Sequence, residues 1–176
     1  MNPKGLMATV VCLAYLLGGV SLAGAAKGGG LEFPNTVTAA DRSYLGLAKA
    51  GKFTLKDLNT PYVLLEVLNT NCPHCMAQAA ALNKLFRLVQ NSDLNSKVRF
   101  IGVVSNPPAA MEKWRQAYKV PFALVADPDW EIAQALKVTG TPTTLVLDKQ
   151  GKVLLLHNGV FHDAQKVFNE LKGRLK

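Results

Sequence analysis

The residues from Tyr62 to Leu68 read Tyr-Val-Leu-Leu-Glu-Val-Leu, an almost uninterrupted apolar run that begins directly after Pro61. A strand with one face in water alternates apolar and polar residues, whereas a strand covered on both faces is apolar throughout. The run therefore predicts a central strand in a sheet that has helices on both faces. Its one carboxyl side chain, Glu66, is expected to lie within that buried strand.

Helical and strand-like segments alternate along the rest of the 176-residue chain. Helices are predicted from Pro73 to about Gln90, after a capping Asn106, through Leu136 and from about Asp163. The first of them has a predicted apolar face made of Met76, Ala79, Ala80, Leu82, Leu85, Phe86 and Val89. Strand candidates lie at 98–104, 122–125, 143–147 and 153–156, the last two forming a hairpin. This order predicts an α/β fold with a central mixed β-sheet flanked by helices.

The first 26 residues have the composition of a secretory signal. Lys4 precedes a run without charge from Leu6 to Ala26, which ends in small residues. We expect residues 1–26 to be a signal peptide or an uncleaved N-terminal anchor, 27–51 a leader, and 52–176 the folded domain. The location is then periplasmic or otherwise extracytoplasmic, with the domain soluble or N-terminally membrane-anchored.

The charge of the chain does not indicate a nucleic-acid partner. The formal net charge is +8, from 20 basic and 12 acidic residues. These residues are spread along the sequence, without a basic run or interleaved aromatic residues. We therefore expect a solvated basic surface and no nucleic-acid binding.

The segment Cys72-Pro73-His74-Cys75 follows the buried strand at once. Two cysteines at this spacing serve as a redox pair, as half of a metal site, or as buried core residues. A structural zinc site needs four ligands, and no second pair of this kind exists in the chain. Covalent haem attachment requires histidine at position 76, which is methionine. A peroxidatic cysteine expects threonine and proline where Asn69 and Leu65 stand.

The position of the motif at a helix start favours redox chemistry. Unpaired N–H groups and the helix dipole stabilise negative charge there, so the pKa of Cys72 should be lowered. Cys75, one turn further along, should stay protonated and act second. Pro73 fits the first helical turn, and His74 adds a donor next to the attacking sulfur.

The sequence resembles the thioredoxin superfamily over most of residues 52–176. Three features carry the resemblance: the buried strand leading into Cys72 and Cys75, an acid at Glu66 six residues before Cys72, and Gly140-Thr141-Pro142-Thr143 before a later strand. The resemblance implies the thioredoxin fold and a cis peptide bond at Pro142.

The resemblance also implies roles for the individual residues. Glu66, with a pKa raised by burial, accepts the proton of Cys75. Pro142 packs against the active-site sulfurs, and Thr141, together with Pro142 and Pro73, contacts the substrate. Thr141 would pair with an extended substrate segment through its backbone. The predicted catalytic set is therefore Cys72, Cys75, Glu66, His74 and Pro142, without a metal or another cofactor.

Two signals within the superfamily favour opposite directions of electron flow. The segment Thr141–Val153 resembles the TlpA/ResA group of extracytoplasmic thiol–disulfide proteins, whereas Pro73-His74 resembles the dipeptide of DsbA-type oxidants. We expect a TlpA/ResA-like reductant that exchanges disulfides with partner proteins, with a redox partner that is free or membrane-bound. The alternatives are a DsbA-like disulfide donor and a Cu(I)-binding or delivery module.

Overall fold

The central sheet contains five strands in the order β5-β4-β3-β6-β7, in a computed structural model that describes residues 30–175. The strands are β1 (Glu32–Phe33), β2 (Phe53–Thr54), β3 (Tyr62–Leu68), β4 (Val98–Val104), β5 (Ala123–Ala126), β6 (Thr143–Asp148) and β7 (Val153–Asn158). The helices are α1 (Ala39–Leu45), α2 (Pro73–Gln90), α3 (Pro108–Tyr118), α4 (Glu131–Ala135) and α5 (Ala164–Arg174). β1 and β2 form a separate antiparallel pair.

Strand β3 lies at the centre of the sheet, parallel to β4 and antiparallel to β6. Successive residues such as Leu64 and Leu65 point to opposite faces, and both are fully buried. The uninterrupted apolar run therefore packs against a layer on each side. The predicted α/β fold with a mixed, doubly covered sheet is confirmed.

The two faces of the sheet have separate cores. Leu64 and Leu68 of β3 pack with residues of α2, α3 and α5, such as Leu85, Trp114 and Leu171. Residues on the opposite face pack with the β1–β2 pair, α1 and α4; they include Val63, Leu65, Val67, Phe33, Phe53, Leu45 and Ile132. Helix α2 lies across the first of these faces, so its N-terminus stands at the carboxyl end of β3.

Helix α2 has the predicted bounds but a partly different buried face. Met76 is 40% exposed and Ala80 is exposed, whereas Gln78 is 1% exposed. The buried stripe follows Cys75, Gln78, Ala79, Leu82, Leu85, Phe86 and Val89, which recur every three or four residues. Met76 and Ala80 lie beside this stripe. A buried glutamine was not expected from hydrophobic periodicity.

The segment 27–51 is not a simple leader, because much of it packs into the core. Leu31, Phe33, Val37 and Leu45 are buried against the second face of the sheet. Helix α1 begins at a capping box in which the Thr38 hydroxyl accepts the N–H of Asp41 and the Asp41 carboxylate accepts the N–H of Thr38. The folded part therefore starts near residue 31 and not at the predicted residue 52.

The sequence did not indicate this packing, because the apolar residues between 31 and 47 do not follow one helical or strand period. The predicted signal at 1–26 lies outside the described residues. Within residues 30–175, none of the helices combines the length and the apolar character that crossing a membrane requires.

Phe33 tests whether this early segment belongs to the fold. It is fully buried and stacks on Phe53 with ring centroids 5.0 Å apart. We expect Phe33→Ala to lower the free energy of unfolding by about 3–5 kcal/mol, measured by urea denaturation. The control Leu156→Ala, at a side chain that is 55% exposed, should cost less than about 0.5 kcal/mol. If the two variants lose equally little unfolding free energy, residues 31–51 are a leader and not part of the fold.

Candidate active site

Cys72 and Cys75 lie at the start of α2, directly after the loop that follows β3. Cys72 is the N-cap residue with extended backbone (φ −85°, ψ 118°), and Pro73 occupies the first turn. Cys72 is half-buried, whereas Cys75 is only 3% exposed, and both are free thiols. An attacking reagent can therefore reach the first sulfur much more easily than the second.

The loop between α4 and β6 lies against the first sulfur. The Cys72 thiol donates to the backbone carbonyl of Thr141, with 3.5 Å between Sγ and O. The Thr141–Pro142 peptide bond is cis, and Pro142 is buried. The loop is held by the Gly159 N–H, which donates to the Pro142 carbonyl at 2.9 Å, and by the Thr143 hydroxyl, which donates to the Gly140 carbonyl at 2.8 Å. A half-exposed Thr141 thus stands beside Cys72 on a fixed loop.

The pKa of Cys72 is lowered from its ordinary value. Partial burial acts to raise this pKa, but the backbone N–H groups of His74 and Cys75, together with the side chains of Thr141 and Cys75, outweigh it. None of these N–H groups makes a short capping bond to the thiol in the reduced state. They are the unpaired donors of the first helical turn, and they stabilise the sulfur when it becomes a thiolate.

The pKa of Cys75 moves in the opposite direction. Burial raises it to about 12, and the nearby Cys72 sulfur adds to the increase. At neutral pH Cys75 is therefore a thiol, and it becomes a nucleophile only if a base accepts its proton. The two cysteines have different reactivity because one stands at the helix N-terminus and the other lies inside the core.

Glu66 is buried in the centre of β3, with 2% of its surface exposed. The Gln78 amide donates to Glu66 Oε1 at 2.5 Å, and the Thr144 hydroxyl donates to Glu66 Oε2 at 2.7 Å. Burial raises the pKa of Glu66 to about 8, although these two hydrogen bonds act to lower it. The carboxyl can therefore both hold and release a proton near neutral pH.

A small internal cavity joins Glu66 to Cys75. Both residues line it together with Gln78, and the remaining walls are mostly apolar, including Leu68 and Trp114. The structure thus brings the base candidate and the second sulfur to the same enclosed space. Gln78 is a site residue that the sequence analysis missed, although its position one turn after Cys75 is a usable signal.

His74 and Pro73 lie at the surface of the site. Both are exposed, and among residues 30–175 the His74 imidazole has no hydrogen-bond partner. The predicted effect of His74 on the thiolate is therefore present only through its backbone N–H. Pro73 forms part of the exposed rim next to Cys72, where a substrate would approach.

The loop before Cys72 is tied to the end of β4 by side chains. The Asn106 side-chain carbonyl accepts the N–H of Thr70 at 2.8 Å, and the Asn69 amide donates to the Ser105 hydroxyl at 3.1 Å. Asn106 was predicted to cap α3, but the N-cap residue of that helix is Pro107. Its side chain instead binds the loop that follows β3. This contact is possible because β3 and β4 are adjacent in the sheet.

The difference between the two cysteines predicts selective alkylation. We expect iodoacetamide at pH 7 to modify Cys72 at least about tenfold faster than Cys75 in the folded, reduced protein, because only the thiolate reacts. Peptide mass mapping after a time course measures both rates. In guanidinium chloride the two rates should become similar, and similar rates in the folded protein would contradict the assigned burial and pKa difference.

The raised pKa of Glu66 predicts a specific pH dependence of stability. The folded protein holds this proton up to about pH 8, whereas the unfolded chain releases it near the ordinary value of 4.5. The ionised carboxyl therefore destabilises the fold increasingly as the pH rises through that interval. We expect Glu66→Gln to gain stability relative to the natural protein between pH 4.5 and 8, by on the order of a few kcal/mol.

Urea unfolding at pH 4, 6 and 8.5 measures this difference. Glu131→Gln, at an exposed position, is the matched control and should differ from the natural protein by a small, constant amount. A stability difference for Glu66→Gln that does not change with pH would show that the pKa of Glu66 is the same in the folded and the unfolded protein, and so is not raised by burial.

Comparison with known proteins agrees with this geometry. The model of the AhpC/TSA family matches residues 36–155. Thiol-disulfide oxidoreductase ResA from Halalkalibacterium halodurans is 27% identical over 135 residues, which cover 68% of this chain and 73% of that protein. Chloroplastic peroxiredoxin Q from Oryza sativa subsp. japonica is 24% identical over an alignment 196 positions long, which covers 97% of this chain and 87% of that protein.

Solved structures share the fold. StoA from Bacillus subtilis superposes with a TM-score of 0.57 at 17% identity, covering 71% of this chain and 92% of StoA. This likeness, together with the order of the five strands, confirms the predicted thioredoxin fold. The chain therefore belongs to the AhpC/TSA family, as a TlpA/ResA-like member of the thioredoxin superfamily.

Proposed function

We propose that the protein is an extracytoplasmic thiol–disulfide oxidoreductase that reduces disulfides of partner proteins through a mixed disulfide on Cys72. The observation that carries this proposal is the asymmetry of the cysteine pair. Cys72 is accessible and has a lowered pKa, whereas Cys75 is buried and has a pKa raised to about 12. The relationship to ResA, which bears the name of this activity, supports the same class of reaction.

In the first step the Cys72 thiolate attacks one sulfur of the client disulfide. The Cys72–client bond forms, and the second client sulfur leaves as a thiolate. The first-turn N–H groups that lower the pKa of Cys72 make this thiolate available at neutral pH. The half-exposed backbone of Thr141 next to Cys72 suits an extended client segment, which would pair with it as an added strand.

In the second step Cys75 resolves the mixed disulfide. Its thiol gives a proton to the Glu66 carboxylate, and its sulfur attacks Cys72 Sγ while the client sulfur leaves as a thiolate. The product is a Cys72–Cys75 disulfide, and the client has gained two electrons. The shared cavity and a Glu66 pKa of about 8 make Glu66 a suitable base for this transfer. A redox partner must then return two electrons to the pair.

The exposed position of His74 favours the reducing direction. A positively charged or donating side chain in contact with Cys72 would stabilise the dithiol form and make the pair a stronger oxidant. In the described structure the His74 imidazole is exposed and makes no such contact. The His74 side chain therefore does not raise the reduction potential of the Cys72–Cys75 pair through such a contact. This supports the TlpA/ResA-like role over the alternative of a disulfide donor.

The extracytoplasmic location rests on residues 1–26, which have the composition of an export signal. Fractionation of cells that produce the full chain tests this part of the proposal. We expect the protein in the periplasmic or membrane fraction, with loss of export when Leu6–Ala26 is interrupted by charged residues. Retention of the natural chain in the cytoplasm would contradict the location without affecting the chemistry.

The reduction potential of the Cys72–Cys75 pair tests the direction of electron flow. We expect a value near or below the roughly −270 mV of thioredoxin, measured on the full chain against dithiothreitol buffers. A value near the roughly −120 mV of DsbA would make the protein a disulfide donor. The Cys72→Ser variant is the control, because it cannot form the internal disulfide.

Trapping of mixed disulfides between this protein and its clients tests the proposed mechanism. The Cys75→Ser variant should accumulate mixed disulfides with partner proteins, and Cys72→Ser should accumulate none. Assays of peroxide reduction and of Cu(I) binding test the two competing functions. Rapid peroxide reduction that survives Cys75→Ser, or tight 1:1 copper binding without turnover of any disulfide, would replace the proposed activity.

A further inference from the structure

His157 on β7 carries a buried nitrogen without a partner. The side chain is half-buried, but its Nε2 atom is fully enclosed and makes no hydrogen bond with any of residues 30–175. The imidazole and the Phe161 ring form a T-shaped pair, with centroids 5.9 Å apart. Buried polar atoms almost always have a partner, so an unpaired nitrogen at this position requires an explanation.

The strand register places this imidazole in one row with the proposed base. Glu66 on β3 stands opposite Thr144 on β6, and Thr144 stands opposite His157 on β7. Residues opposite each other on paired strands project from the same face, with Cβ atoms about 4.5–5.5 Å apart. The three side chains therefore share the face that α2 and α5 cover, and Thr144 lies between the other two.

The Gln78 amide decides which oxygen of Glu66 can carry a proton. Its oxygen accepts the N–H of Phe161 at 3.0 Å, so its NH₂ group must face Glu66 Oε1. An NH₂ group can only donate, and Oε1 therefore remains an acceptor. The other oxygen, Oε2, faces the Thr144 hydroxyl, which can rotate and either donate or accept. A protonated Glu66 thus carries its hydrogen on Oε2, directed to Thr144.

Rotation of the Thr144 hydroxyl frees its own hydrogen, which then needs an acceptor. While Glu66 is ionised, that hydrogen is donated to Oε2. When Glu66 is protonated, the unpaired Nε2 of His157 on the neighbouring strand is the acceptor on the same face. Thr144 Oγ1 and His157 Nε2 make no direct hydrogen bond in the structure. The transfer therefore requires a rotation of the imidazole or a bridging water molecule.

We propose that His157 is the proton exit of this site, receiving through Thr144 the proton that Glu66 takes from Cys75. This inference rests on the proposed thiol–disulfide exchange. Because burial raises the pKa of Glu66 to about 8, the carboxyl is mostly protonated at pH 7, and it must lose this proton before it can accept the proton of Cys75. Glu66 is itself too buried to release the proton directly to water. His157 acts on the reaction only through Thr144 and Glu66, so it is a relay residue and does not touch the sulfurs.

The transfer is balanced at each atom. Glu66 Oε2 passes its proton to Thr144 Oγ1, whose own hydrogen moves to His157 Nε2. The imidazole then holds a proton on both nitrogens and loses the one on Nδ1 to solvent. Before the next turnover the half-buried ring returns to the Nδ1–H tautomer by exchange with solvent, which frees Nε2 again. Of the groups named around His157, only Glu66 titrates, since Thr144, Phe161 and Gln78 are uncharged. No electron is transferred in these steps, and the relay needs no co-reactant.

Ellman's reagent separates the step that uses the relay from the step that does not. Attack by Cys72 on this disulfide releases one coloured thiolate, and resolution by Cys75 releases the second. In His157→Phe we expect the second phase to slow about tenfold at pH 7, less than the loss of a direct general base, which is about 10²-fold or more. The first phase should be unchanged. The matched control His162→Phe, at an exposed histidine, should leave both phases unchanged.

Thr144 variants separate a relay from a packing effect. Thr144→Ser keeps the hydroxyl and should resolve normally, whereas Thr144→Val should slow the second phase. The double variant Thr144→Val with His157→Phe should be no slower than the slower single variant, because both interrupt one path. Slowing of both phases together, or multiplied effects in the double variant, would overturn the relay in favour of a structural disturbance.

The natural protein allows a test without a variant at position 157. In nitrogen NMR spectra the His157 ring should carry its hydrogen on Nδ1, and its signals should respond to the titration of Glu66 but not in Glu66→Gln. An Nε2–H tautomer with no such response overturns the proposal. If the natural protein shows no second phase with Ellman's reagent, the proposed function itself fails; if it shows two phases that His157→Phe leaves unchanged, only the relay fails.

Discussion

The carboxyl of Glu66 is the interaction on which the arrangement of this site depends. A carboxyl in the centre of an apolar strand is costly unless both oxygens have hydrogen-bond partners. Those partners come from α2, through Gln78, and from β6, through Thr144. Gln78 in turn accepts the N–H of Phe161, in the segment after β7. Hydrogen bonds around this one buried carboxyl therefore fix the positions of α2, which carries the cysteines, of β3, and of the β6–β7 hairpin relative to one another.

The position of α2 on the sheet accounts for the different chemistry of the two cysteines. Because α2 crosses the face of the sheet that holds Glu66, its N-terminus emerges at the end of β3 and places Cys72 at the surface. Three residues further on, Cys75 faces the core and the cavity next to Glu66. The opposite shifts in the pKa values of the two thiols follow from this one placement: helix N–H groups act on the first, and burial acts on the second.

The loops around Cys72 are held by neighbouring strands more than by their own sequences. Asn106, at the end of β4, holds the loop that precedes Cys72, and Gly159, at the end of β7, holds the carbonyl of Pro142. Each contact comes from the strand that is next in the sheet and distant in the chain. Thr141 and Pro73 therefore stand beside Cys72 on loops that hydrogen bonds hold in place. This arrangement suits the proposed recognition of an extended client by its backbone.

Local pattern was sufficient for the central elements of this protein. The apolar run of β3 and the helical period that follows it reproduced the bounds of β3 and α2, and the position of Cys72 and Cys75 at their junction indicated a redox pair. These features depend on residues that are neighbours in sequence, where periodicity and helix capping act directly.

Contacts between segments that are distant in sequence decided the features of the fold and of the site that the local pattern did not predict. The packing of residues 31–47, the burial of Gln78, the use of Asn106 by another loop, and the row from Glu66 through Thr144 to His157 all depend on the strand order and its register. Sequence determined that a buried strand would present two cysteines at a helix start. Only the tertiary structure decided which polar side chains surround the buried carboxyl, because a polar residue gives no periodic signal of the partner it will meet across a sheet.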